Sequence, residues 1–156
     1  MRIFSTGLGE GQSAQYVDVV PVGPIGPNRE SVKNKIRALT PQAGTPLYDV
    51  TAKSMQTMSD SFDAARINAV VVLTDGKNED GTTKDDRQQL MDLVNSLQSQ
   101  AKGELGKPVR LFTIGYGKDA DLDILQQLAE SANGAYYNAS DPKTISKIFT
   151  QVISNF

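Results

Sequence analysis

The 156 residues contain no His and no Cys, so oxygen is the only ligand chemistry this sequence offers a metal ion. Thiolate nucleophiles, disulfides and imidazole or thiolate zinc sites are excluded. The hard oxygens that remain suit Mg²⁺, Ca²⁺ or Mn²⁺. Asp75 is the carboxylate that stands out. It lies in the stretch 68–80 (NAVVVLTDGKNED), where the unbroken apolar run Val70–Leu73 leads into Thr74, Asp75 and Gly76. A short run without polar alternation reads as a strand buried on both faces, the usual state of a parallel strand covered by helices. In such sheets ligands bind at the carboxyl ends of the strands, where Asp75 emerges. The other reading is a simple Asp-Gly turn, and both stay open at this point.

Other clusters are weaker. Gly115–Ala120 (GYGKDA) fits the dinucleotide pattern G-x-G-x-x-A after a strand. However, Asp119 and Asp121 fall where a pyrophosphate would sit, and no strand with a ribose-binding acid follows about 20 residues on. Asp75, Glu79, Asp80, Asp85 and Asp86 suggest a calcium loop, but Lys77 and Thr82 break the alternation that loop needs. These acids read better as a solvated loop entering a helix whose acidic first turn complements the dipole. Tyr136 and Tyr137 read as packing aromatics on an edge strand. With no His and no Gly-x-Ser-x-Gly, an enzyme is not expected.

The elements that must position Asp75 follow in order. Strands are expected over 1–6 and 16–20, forming an antiparallel hairpin around a turn at 7–11. Residues 21–27, with three prolines, read as an extended loop. Asn28 or Ser31 then caps a helix with the stripe Val32, Ile36 and Leu39. Pro41–Pro46 breaks it, and Thr45, preceding Pro46, is a natural N-cap for a second helix. Leu47, Thr51, Met55, Met58 and Phe62 form that helix's core stripe. After the central strand comes a polar loop over 76–83. A helix through Leu90, Val94, Leu97 and Ala101 ends near Gly103. A strand over 109–114 is closed by Gly115–Gly117. The next helix opens at Ala120 or Asp121, carries Leu122, Leu125, Leu128 and Ala129, and stops at Asn133-Gly134. Residues 135–138 form an edge strand. A last helix starts at Ser140-Asp141-Pro142 and points Ile145, Ile148, Phe149, Val152 and Ile153 inward. Strands alternating with helices imply right-handed crossovers. The expected fold is α/β and doubly wound, a Rossmann-like three-layer α/β/α arrangement. Its sheet is mostly parallel with one antiparallel edge hairpin.

Composition sets the remaining bounds. The hydrophobic fraction of 38% and charged fraction of 22% are those of one globular domain spanning 1–156. A net charge of −2 without a Lys/Arg cluster gives no footprint for nucleic acid. No apolar run approaches the roughly 20 residues of a membrane helix, so no direct membrane insertion is expected, and the first residues do not read as a signal peptide.

Three motifs now fall together: GTPLYD (Gly44–Asp49), VVVLTDG (Val70–Gly76) and LFTIGYG (Leu111–Gly117). Followed by Gly134-Ala-Tyr-Tyr137, their order resembles the von Willebrand factor type A domain from Arg2 to the C-terminus. The likeness is nearest to bacterial members found in exported or membrane-tethered proteins, some joined to a solute-binding domain. The resemblance implies a metal-ion-dependent adhesion site built by three loops at the carboxyl end of the sheet. The first loop carries Asp-x-Ser-x-Ser, the second a threonine and the third an aspartate. By this resemblance the metal ligands are Thr45 and Asp75, and a partner's acidic side chain takes an open position on Mg²⁺ or Mn²⁺.

No Asp-x-Ser-x-Ser occurs in the sequence, and Arg2–Thr6 corresponds to the family's second strand. The first strand and first helix therefore have no counterpart. Three explanations are on the table: an N-terminally truncated fragment; elements supplied by another chain or a swapped homodimer partner; or direct closure, with the first strand pairing with Val70–Leu73. Two protein ligands imply weak or absent metal binding, because Mg²⁺ wants six oxygens in near-ideal geometry. The expected function is a non-catalytic, adhesion-type binding module with an incomplete metal site. The alternative is a metal-independent docking domain of a larger bacterial exported or solute-binding protein. An extracytoplasmic or cell-surface location follows from the resemblance alone.

Overall fold

The computed structural model describes residues 1–8, 14–102 and 106–155. Its strands are β1 (Arg2–Leu8), β2 (Ala14–Asp18), β3 (Ala69–Thr74), β4 (Arg110–Tyr116) and β5 (Tyr136–Ala139). Its helices are α1 (Ile25–Arg37), α2 (Leu47–Asp60), α3 (Asp86–Ala101), α4 (Leu122–Ser131) and α5 (Ile145–Ser154), the last preceded by a 3-10 turn at Pro142–Thr144. The turn expected at 7–11 lies partly outside the described residues, as does the helix end near Gly103.

β3, β4 and β5 form a parallel sheet in that order, with Val71 beside Phe112 and Leu73 beside Ile114. Side chains on a strand alternate between faces, so each face has its own cover. Val70, Val72 and Leu111 pack with Leu47 and Met55 of α2, Val94 and Leu97 of α3, and Leu125 and Leu128 of α4. Phe112 and Ile114 face the other way, onto Ile148 and Val152 of α5. The chain is thus α/β, with a three-stranded parallel sheet flanked by helices.

Several expectations need correction. β1 and β2 do pair antiparallel, but as a separate two-stranded sheet and not as an edge of the larger one. Direct closure of β1 onto Val70–Leu73 does not occur among the described residues. β3 is not buried on both faces: Val71 and Leu73 are 42% and 44% exposed, because α5 covers only the neighbouring strand. On α5 itself, Phe149 and Ile153 face solvent, not the core. α1 starts at Ile25, earlier than expected, because Pro27 fits a first turn that needs no N–H from it. Its Asn28 donates back to the Pro24 carbonyl instead of capping, and none of its residues is buried.

α2 is the common support of both sheets. The Arg2 guanidinium, at the start of β1, donates to Ser54 Oγ at 3.2 Å, late in α2. Ser5 and Thr6, further along β1, donate to the Ala43 carbonyl just before α2, at 2.7 and 2.6 Å. β3 likewise begins beside the end of α2, where Asn68 is bonded to Asp63, and ends at Gly76 against Thr45. Both strands therefore run back along α2, parallel to one another.

Arg2 also forms a two-bond ion pair with Asp18 across the hairpin, both at 2.9 Å. The hydrogen bonds from Arg2 hold the Asp18 carboxyl below the usual carboxylate range, against a smaller opposing effect of burial. A lowered folded pKa means stability that is complete above the unfolded pKa, near ~3.9, and lost as pH falls through the folded value. Because Asp18 is largely exposed, the Asp18→Asn substitution should cost no more than about 1 kcal/mol at neutral pH. It should also flatten the loss of stability below about pH 4, as urea titrations on both sides of that pH would show.

Candidate functional site

The carboxyl end of β3 and the entry to α2 come together in space although about thirty residues separate them in sequence. Thr45 forms an isolated antiparallel bridge with Glu79: Thr45 N–H donates to the Glu79 carbonyl and Glu79 N–H to the Thr45 carbonyl, both at 2.8 Å. This places the Thr45 hydroxyl against Gly76, where an added Cβ would stand 3.0 Å from Oγ1. Thr45 is not the expected N-cap. Pro46 occupies that position, and the Thr45 hydroxyl makes no capping bond to α2.

The preceding turn is held from β1. Gly44 adopts φ +80°, a conformation only glycine takes readily, and a Cβ there would meet Thr6 Oγ1 at 2.2 Å. From β2, Gln15 donates to the Asp80 carbonyl at 3.3 Å. The loop after β3 is turned by Thr74, whose Oγ1 accepts from Gly76 N–H at 3.3 Å. Asp75 is left exposed at the tip. Of the two sequence-derived ligands, Thr45 and Asp75, the fold brings the first against the residue that follows the second.

Asn78 connects this loop to two helices. Its Oδ1 accepts from Tyr48 N–H at 3.2 Å, satisfying one of the open donors of the first turn of α2. Its Nδ2 donates to Asp86 Oδ1 at 2.7 Å, in the first turn of α3. The Tyr48 ring is buried in the core beneath, and burial, reinforced by Asp86 and Asp121, pushes its hydroxyl up to about 12. Nothing in the sequence singled out Asn78; only its neighbours in space reveal its part.

Three of the remaining acids, Asp80, Asp85 and Asp121, have structural partners. Asp80 accepts from the Thr82 N–H and hydroxyl at 2.8 and 2.9 Å. Burial opposes its ionisation, but these bonds, with Gln89 and the charge of Lys84, together outweigh that effect and hold its carboxyl below the usual range. Asp85 caps α3 through Arg87 and Gln88 N–H, and Asp121 caps α4 through Ile124 N–H. Among the described residues no three acids converge as a metal-holding group. Asp141 accepts from Lys143 N–H and starts the turn before α5.

Above Thr45 and Gly76 opens a cleft of about 530 Å³ that reaches the loop after β4 and the first turn of α4. Lys77 and Lys118 line it together with Glu79, Asp119, Asp121 and Asp123, so its field is net negative. No helix among the described residues is long and apolar enough to cross a membrane.

Replacing Asn78 by Ala should remove both helix contacts. A loss of about 1–2 kcal/mol is expected, because Tyr48 N–H is part-buried and would be left unpaired. Chemical denaturation measures the loss, and faster amide exchange at Tyr48 would locate it.

The sequence model of one family, described as von Willebrand factor type A domain, matches residues 12–151. The matched range begins after β1 and contains Thr45, Asp75 and Gly115–Gly117. A search of curated proteins found no match.

Proposed function

The chain belongs to the von Willebrand factor type A domain family, and from that premise we propose that it is a non-catalytic protein-binding module working through the loop end that carries Thr45 and Asp75. Members of this family are generally protein-interaction or adhesion modules. The observation that carries the reading is the Thr45–Glu79 bridge, which seats an uncommitted hydroxyl beside the Asp75-Gly76 turn at the carboxyl end of β3.

The metal part of the reading is limited by ligand count. Thr45 and Asp75 would supply two of the six oxygens Mg²⁺ requires, leaving water to complete the octahedron. A cation held there would offer an open position to a partner's carboxylate and reverse the local field. Without one, the four carboxylates of the cleft outnumber its two lysines and repel an acidic partner. A metal-independent docking surface is therefore the second reading, favoured by that same negative field.

Calorimetry separates the two. Titration with MgCl₂ or MnCl₂ should give a dissociation constant of about millimolar or weaker, as expected of a site with few charged ligands. Micromolar binding abolished by Asp75→Ala would overturn the incomplete-site reading. With a protein partner in hand, loss of binding on adding EDTA supports metal-dependent adhesion, and indifference supports docking.

A further inference from the structure

Three pairs in the chain set an acid or amide side chain directly before a glycine: Asp75-Gly76, Asp80-Gly81 and Asn133-Gly134. In such a pair the glycine nitrogen can attack the side-chain carbonyl carbon of its neighbour, because a residue without Cβ leaves that approach open. The reaction needs a side chain free to turn and a glycine N–H that is not held elsewhere.

The fold treats the three pairs differently. Asn133 has the more reactive side chain, an amide that loses ammonia. However, Gly134 N–H donates to the Ala129 carbonyl at 2.9 Å, and Asn133 Nδ2 donates to the Ala101 carbonyl at 3.3 Å. Gly134 is also wedged on the backbone of Leu111, where an added Cβ would stand 1.7 Å from the carbonyl oxygen. Asp80 is held by both carboxylate oxygens, through Thr82 N–H at 2.8 Å and the Thr82 hydroxyl at 2.9 Å. Asp75 has neither restraint. Its exposed carboxylate has no hydrogen bond or ion pair among the described residues, and Gly76 N–H makes only a long 3.3 Å bond to Thr74 Oγ1. The glycine is kept there by Thr45, whose Oγ1 would lie 3.0 Å from a Cβ at position 76.

We propose that Asp75-Gly76 is a self-modification site at which the aspartate converts to isoaspartate. The Gly76 nitrogen bonds to the side-chain carboxyl carbon of Asp75 and one C–O bond breaks. That oxygen leaves as water, taking the amide proton and a proton from solvent. Water then opens the succinimide ring. Breaking the ring bond from nitrogen to the side-chain carbon restores aspartate, whereas breaking the bond to the main-chain carbon leaves isoaspartate. No oxidant, metal or second substrate takes part, and the final mass is unchanged. Isoaspartate routes the backbone through the side chain, which adds one methylene to the loop and moves the free carboxylate onto Cα. The acid at the loop end is thereby displaced from its place beside Thr45. The reaction itself does not depend on what the loop end binds, so either reading can fail while the other stands.

The test incubates the intact chain at body temperature in mildly acidic buffer, folded and in guanidinium chloride. Electron-transfer fragmentation of proteolytic peptides then distinguishes the two isomers. In the folded chain isoaspartate should form at residue 75 at least about tenfold faster than at residue 80, because Asp80 must first be released by local opening. It should also precede any conversion of Asn133. In denaturant residues 75 and 80 should react at similar rates, and Asn133 should lead. Asp75→Glu, whose closure needs a larger ring, should abolish the product at this position and leave the other two pairs unchanged. Two results would overturn the proposal: residue 75 unconverted in the folded chain while it converts in denaturant, or residue 80 or 133 leading in the folded chain.

Discussion

The hairpin and the parallel sheet both rest on α2. Leu47 and Met55 are fully buried and hold the helix to Val70 and Val72 of the parallel sheet. The same helix receives the hairpin through Arg2 and Ser54. Burying a side chain of the size of Leu or Met is worth about 1.5–3 kcal/mol, whereas the Arg2 contacts are partly exposed and worth less. The helix is therefore bound firmly to β3 and lightly to β1. Two sheets share one support without sharing a hydrogen-bonded ladder.

That arrangement also builds the loop end. Because β1 and β3 both run back along α2, their carboxyl ends converge at its entry. There Ser5 and Thr6 hold Ala43, Thr45 bridges Glu79, and Asn78 joins the first turns of α2 and α3. The cleft above has walls from the β3 loop, the β4 loop and α4, which no stretch of sequence supplies alone. A site of this kind suits binding: its polar groups are fixed by neighbouring backbone, and its exposed acid, Asp75, is uncommitted.

Local readings succeeded where local forces decide. The four-, four- and three-residue steps from Leu47 to Met58 marked a helix face that packs, because burial follows the helical period, and Phe62 packs against the same core from just beyond the end of α2. Asp121 and Asp141 start their turns as their side-chain acceptors require, and Asn133-Gly134 stops α4, Asn133 at φ 52°. The same reasoning failed where a distant segment had a stronger claim. Thr45 had the sequence of an N-cap, but its backbone is committed to Glu79, far along the chain. Val32, Ile36 and Leu39 had the spacing of a core stripe, but Val32 is only half-buried and Ile36 and Leu39 are exposed.

The sequence by itself determined the order and type of the elements and the family motifs that bracket the site, because periodicity, turn chemistry and residue type act over a few neighbours. It also ruled out nitrogen and sulfur ligands, since neither His nor Cys is present. Only the tertiary structure decided that the hairpin stands apart from the sheet, that Val71 and Leu73 are open, and that Thr45 lies against the Asp75-Gly76 turn. Those outcomes depend on which surfaces meet across the fold. An unbroken apolar run such as Val70–Leu73 states a demand for cover on both faces, but it cannot say whether the cover is there.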